Sequence, residues 1–131
     1  MKNYFNSISN KSELERSQKT QSFIKLKTNF GYSEIEDIMK DLYEEIDELK
    51  EEIKKENNTE KIKNELGDVI FVLCNLANKF SINTEEAIKS SIDEYQRRWL
   101  YIENQVGTEN IEKINSETIK KLWKEAKKLK K

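Results

Sequence analysis

Residues 65–77 read Glu65-Leu66-Gly67-Asp68-Val69-Ile70-Phe71-Val72-Leu73-Cys74-Asn75-Leu76-Ala77, two carboxylates followed by a run that is apolar nearly all round. A helix of this kind has no polar face to give to water, which predicts burial at the centre of an assembly rather than on its surface. Just upstream, Asn57-Asn58 breaks the pattern and Thr59 is placed to cap a helix over 60–80. Before that break, Ser33 with Glu36 forms an S-x-x-E capping box. Ile35, Ile38, Met39, Leu42, Ile46, Leu49 and Ile53 follow at i, i+3, i+4, i+7 spacing. That helix is expected to run to about Glu56, roughly 36 Å at the helical rise.

The same signals partition the rest. Ser12 with Glu15 opens a helix to about Thr28, and Gly31 is the break after it. Asn83 with Glu86 starts a helix to about Gln105, ahead of Val106-Gly107. A last amphipathic helix, about 116–129, carries Ile119, Leu122, Trp123, Ala126 and Leu129. Residues 1–11 are polar and are expected to form a loose extension. With no internal repeat and no linker, residues 1–131 read as a single all-α domain, a four-helix-bundle core with accessory terminal helices.

Composition narrows the chemistry. The 131 residues include no Pro and three Gly, which argues against many short strands and tight turns. With no His, any acid–base or metal chemistry falls to carboxylates, Lys, Tyr or water. The single cysteine, Cys74, lies inside the apolar run and reads as a buried structural thiol in a reducing compartment. A net charge of -1 gives no reason to expect specific nucleic-acid binding or an anionic membrane. The basic tail Lys127-Lys128-Lys130-Lys131 reads as a solvated helix end. No apolar run approaches ~20 residues and no signal-peptide pattern is present, so a cytoplasmic protein is expected. One chain this polar does not supply neighbours on every side of the 60–80 helix, which predicts a homodimer or a higher oligomer.

The run Tyr43-Glu44-Glu45-Ile46-Asp47-Glu48-Leu49 would, alone, be a solvated acidic face. Glu45 and Glu48, however, are i, i+3 on one face, and Glu65 and Asp68 repeat that spacing at the entrance to the apolar helix. The two pairs lie at similar distances from the turn near residue 57, so an antiparallel hairpin sets them at the same height. Four carboxylates converging there need a counter-charge, and oxygen ligands without His or Cys suit Mg²⁺ or Mn²⁺. Gly67 costs such a helix about 1 kcal/mol and leaves room for a close approach.

E-x-x-E at Glu45 and Glu48, sixteen intervening residues, then E-x-x-D at Glu65 and Asp68 leading into V-I-F-V-L-C-N-L-A resembles the MazG family of nucleoside triphosphate pyrophosphohydrolases. Further segments match in order. Ser17-Gln18-Lys19-Thr20-Gln21 and Asn29-Phe30-Gly31-Tyr32 resemble the family's first helix and the turn after it. Tyr43 to Glu48 resembles its K-V-x-E-E-x-x-E segment, and Asn83-Thr84-Glu85-Glu86-Ala87 its D-P-E-x-A. Tyr95-Gln96-Arg97-Arg98-Trp99 resembles F-x-R-R-F, and Leu122 to Lys127 the closing W-x-x-x-K.

The resemblance implies a MazG-like fold and hydrolysis of (d)NTPs to the monophosphate and pyrophosphate by water activated at Mg²⁺, with Mn²⁺ as a substitute. It implies Glu45, Glu48, Glu65 and Asp68 as metal ligands, with Glu44 beside them as general base or extra ligand. Arg98 matches the family's phosphate-contacting arginine, and a guanidinium fork suits phosphate. Trp123 and Lys127 match the terminal motif, a ring for base or sugar and an ammonium for phosphate; core packing is the competing reading of Trp123. Two departures stand out. Asp41 and Glu94 occupy positions where many relatives carry Lys, and each swap moves the local charge by -2. Lys19 is the candidate substrate-binding lysine that compensates, with Lys40 and Lys79 as others. These departures keep a second reading open, a catalytically weak or inactive nucleotide-binding or regulatory module. A third is a helical scaffold whose acids are only a solvated face.

Overall fold

The computed structural model describes residues 1–31 and 34–129, and among them the chain is all-α with no strand. It divides into two compact units, Met1–Glu86 and Ala87–Lys131. The first holds α1 (Lys2–Ser7), α2 (Glu13–Thr28), α3 (Ile35–Ile53), α4 (Thr59–Lys79) and the start of α5 (Thr84–Val106). The second holds the rest of α5, a 3₁₀ turn at Thr108–Lys113 and α6 (Ser116–Lys128).

Local side chains start and stop these helices. Ser12 Oγ accepts from the Glu15 N–H at 3.3 Å, and Asn83 Oδ1 accepts from the Glu86 N–H at 3.1 Å, as the spacing predicts. Ser12 also donates to the Glu85 carboxylate, joining the starts of α2 and α5. The expected Ser33–Glu36 box falls on a residue outside the described ones. α2 ends at Asn29 (φ 59), two residues before Gly31, because asparagine tolerates the left-handed conformation that closes a helix. α3 stops at Ile53, short of the expected end at Glu56. Thr59 is the first residue of α4 rather than its cap. Asn58 precedes it and turns its side-chain amide back to the Glu52 carbonyl (3.0 Å) and carboxylate, clasping the turn between α3 and α4.

The core of the first unit is the α3–α4 hairpin. Ile38, Leu42 and Val72 are buried, with Met39, Ile46, Val69 and Leu76 packed against them. Each fully buried aliphatic side chain contributes about 1.5–3 kcal/mol. A second face of α4 takes α2 through amides. Gln18 Nε2 donates to Asn78 Oδ1 (3.1 Å) and the Ile82 carbonyl (2.7 Å), while its Oε1 accepts from the Thr84 N–H (2.9 Å) and hydroxyl (2.8 Å). Gln21 Nε2 donates to the Phe71 carbonyl at 2.9 Å. The third face is open. Leu66, Ile70 and Leu73, at i, i+4, i+7, are 42–49% exposed, so this chain alone covers two sides of the helix that was expected to be buried all round. Cys74 is buried as a free thiol.

The 1–11 segment, expected to be loose, carries α1. Tyr4 stacks on Phe23 with ring centres 4.1 Å apart, Phe5 meets the same ring edge-on at 6.0 Å, and Ile8 is buried. In the second unit Ile102, Leu122 and Ala126 are buried. Tyr101 Oη donates to Glu125 at 3.1 Å, and Arg97 donates to the Ala126 carbonyl at 2.8 Å, joining α5 to α6.

Candidate active site

Helical spacing explains why acids meet at the hairpin. Glu45 lies on the stripe of Ile38 and Leu42 (i+7 and i+3), and Glu65 on the stripe of Val69 and Val72 (i-4 and i-7). These are core-facing positions, filled by carboxylates where the apolar seam of α3 and α4 reaches the turn end of the hairpin. One carboxylate oxygen each from Glu45, Glu65 and Asp68 lies within 4.8 Å of the others. Glu48 is not in that trio, but its charge acts on both Glu45 and Glu65. Glu44 is exposed and lies outside the trio.

The acids disturb one another's ionisation. Burial, then the charges of Glu48, Asp68 and Asp41, push Glu45 up to about 7. Burial and the charges of Glu48 and Asp68 raise Glu65. Asp41 is raised by burial and by Glu44 and Glu48. None of the ion pairs among the described residues engages Glu45, Glu48, Glu65 or Asp68. Glu45 Oε2 and Glu65 Oε2 are buried with no hydrogen-bond partner. Such atoms call for a proton or a cation. The donor set fits a hard dication: oxygens 2.0–2.1 Å from Mg²⁺ stand up to about 4.2 Å apart, close to the spacing of this trio.

A cavity of about 590 Å³ adjoins the acids through Asp41, between α2, α3 and α4. Gln21, Phe30, Phe71 and Asn75 line it. Asn75 and Gln21 stand inside sequence motifs that do not single them out. An amide inside the most apolar stretch of the chain was the signal that could have marked Asn75. Among the described residues nothing approaches within 4 Å of a Cβ built at Gly67, so none of them makes the close approach that this glycine allows.

The remaining expected residues are distributed as follows. Lys19, on α2, pairs with Glu15 at 3.7 Å and does not line the cavity. Arg98, Trp123 and Lys127 belong to the second unit. Trp123 is half-buried in a cluster with Tyr95 and Trp99, ring centres 5.5 and 5.9 Å away, and Arg98 lies over its ring at 5.2 Å. Lys127 is exposed. Glu94 is bound by both Arg97 and Arg98, which hold its carboxyl at about 2.

The paired acids on one helical hairpin of this all-α chain, which has no histidine, form a cluster of oxygen donors that could hold a hard cation. The chain belongs to the MazG family: the MazG nucleotide pyrophosphohydrolase domain matches residues 33–101, the stretch that carries all four acids and Arg98. It is 40% identical over 68 residues, half of its length, to the uncharacterized protein YabN of Bacillus subtilis strain 168, of which it covers 14%. Over 117 residues, 87% of the chain, it is 27% identical to the nucleoside triphosphate pyrophosphohydrolase of Escherichia coli strain K12, of which it covers 44%. The chain thus spans less than half the length of either relative.

Proposed function

We propose that this chain, read as one MazG-like domain, hydrolyses nucleoside triphosphates to the monophosphate and pyrophosphate with Mg²⁺ as cofactor. The observation that carries the reading is the pair of buried, unpartnered oxygens on Glu45 and Glu65, gathered with Asp68. Held in place without a cation, these acids repel and two of them are raised; with a dication they become a ligand set. Glu45, Glu65 and Asp68 would hold the metal, and Glu48, whose charge acts on two of them, would complete or orient the set. Mg²⁺, when bound, supplies neutralisation of phosphate oxygens and Lewis acidity toward water. Glu44, exposed beside the ligands, is placed to take a proton from the attacking water. The cavity walled by Phe30 and Phe71 offers aromatic faces to a base, with the Gln21 and Asn75 amides at its edge. The family resemblance supports Arg98 as the phosphate contact and Trp123, Lys127 and Lys19 as candidate substrate-binding residues, each within its own unit.

The exposed stripe Leu66, Ile70 and Leu73 supports a homodimer, since a second copy would cover it. The buried free thiol of Cys74 fits a reducing cytoplasm.

The test is pyrophosphate release from a panel of NTPs and dNTPs, with and without Mg²⁺. Turnover that needs the metal and falls about 100-fold or more in Glu48→Gln and Asp68→Asn supports the proposal. The second reading, a nucleotide-binding module of little or no activity, is favoured by Asp41 beside the acids and by Glu94 on the arginines. Metal and nucleotide binding with no product would select it. Neither binding nor product would overturn both.

A further inference from the structure

Arg97 and Arg98 are neighbours in sequence and are held in different ways. Arg97 is consumed: its Nε and one terminal nitrogen donate to the two oxygens of Glu94 at 3.0 and 2.7 Å, and that terminal nitrogen also donates to the Ala126 carbonyl at 2.8 Å. Arg98 gives Glu94 only its Nε, at 2.8 Å, and rests over the Trp123 ring. Its two terminal nitrogens have no hydrogen-bond partner among the described residues. They are the fork that matches two oxygens of a phosphate. Beside them lies a cleft of about 350 Å³ lined by Ser90, Ser91, Glu94, Tyr95 and Arg98.

We propose that Glu94 is a positioning residue: it fixes Arg98 by its Nε edge so that the terminal fork faces a phosphate group of the nucleotide, and Arg97 is the strut that holds Glu94. The proposal rests on Arg98 being the phosphate contact named above. Glu94 accepts at the one Arg98 nitrogen that a bidentate phosphate leaves unused, so it does not occupy the fork. Both side chains are largely covered, Arg98 16% and Glu94 19% exposed, which limits the rotamer freedom lost on binding. The two hydrogen-bonded arginines hold the Glu94 carboxyl near 2, so it is ionised throughout the working range.

The experiment is steady-state kinetics with nucleotide and Mg²⁺ on Glu94→Ala and Glu94→Gln, with calorimetric titration of inorganic tripolyphosphate as a readout that needs no turnover. Glu94→Ala is expected to raise KM and weaken tripolyphosphate binding about 10-fold, with kcat within about threefold. Glu94→Gln is expected to recover most of that loss, because its remaining oxygen still accepts from Arg98 Nε. If both variants lower KM together, Glu94 acts only as a repelling charge and the proposal is overturned. An unchanged KM in Glu94→Ala, in an enzyme that does turn over nucleotide, overturns the proposal and leaves the pyrophosphohydrolase reading standing. A wild-type chain that neither hydrolyses nucleotide nor binds tripolyphosphate overturns both. Should Glu94→Ala fail to fold, Arg98→Lys keeps the charge and removes the fork. It is expected to raise KM to the same degree, and an unchanged KM there overturns the proposal.

Discussion

Glu45 on α3 and Glu65 on α4 each leave a buried Oε2 without a hydrogen-bond partner, in the one region of the hairpin where their carboxylates meet Asp68. On the metal-binding function proposed above, the pair is a liability for the metal-free chain and a resource for a loaded one, and most of the expectations below follow from that tension.

Removing one charge should stabilise what it disables. In Glu45→Gln and Glu65→Gln, Mg²⁺ binding is expected to weaken at least about tenfold, since a ligand is lost. The melting temperature of the metal-free protein should rise, since repulsion is relieved. Calorimetry with Mg²⁺ and thermal melts in chelator check both, and a fall in the metal-free melting temperature would contradict the account.

Acidity should act in a definite direction. The folded Glu45 carboxyl sits near 7 against 4.5 for the unfolded chain, so between those values the native state holds more protons. Stability of the metal-free protein therefore falls as pH rises from about 4.5 through about 7. Mg²⁺ affinity rises over the same window, because the ligand must be deprotonated. Urea titrations in chelator at pH 5 and pH 8 give the first result, and calorimetric titrations the second.

Gly67 sits within α4 with open space around the position of a Cβ. Gly67→Ala is expected to stabilise the isolated chain by about 1 kcal/mol through helix propensity alone. Chemical denaturation at low protein concentration measures it. A loss of stability under those conditions would mean that something packs against this position in solution.

Leu42 is buried in the hairpin seam together with Ile38 and Val72. Truncation to alanine should cost about 2–5 kcal/mol and, because α3 carries Glu45 and Glu48, weaken Mg²⁺ binding with it. Ile53, exposed near the end of the same helix, is the control, and its alanine variant should stay within about 0.5 kcal/mol of wild type.

The helices, and the pairing of acids across a turn, were legible because they are written in local spacing. Ser12 and Asn83 announce their caps, and Glu45 and Glu65 fall in register with the apolar seam. What was not legible depends on contacts between residues far apart in the chain. α1 is too short to declare itself, and it docks only because Tyr4 finds the face of Phe23. Asn58 reads from sequence as a break and Thr59 as the cap after it. Only the position of Glu52 makes Asn58 a clasp instead. A run apolar on every side does not say which sides one chain will cover. Glu94 reads as a misplaced charge until its distances to two arginines are known.

The open stripe of Leu66, Ile70 and Leu73 shares its helix with Glu65 and Asp68. Whatever closes over that stripe also stills the scaffold of two acids. A second copy doing so would make the protein's own concentration an effector: diluted, it would lose cation affinity as well as partners, and specific activity would climb with enzyme concentration instead of holding constant.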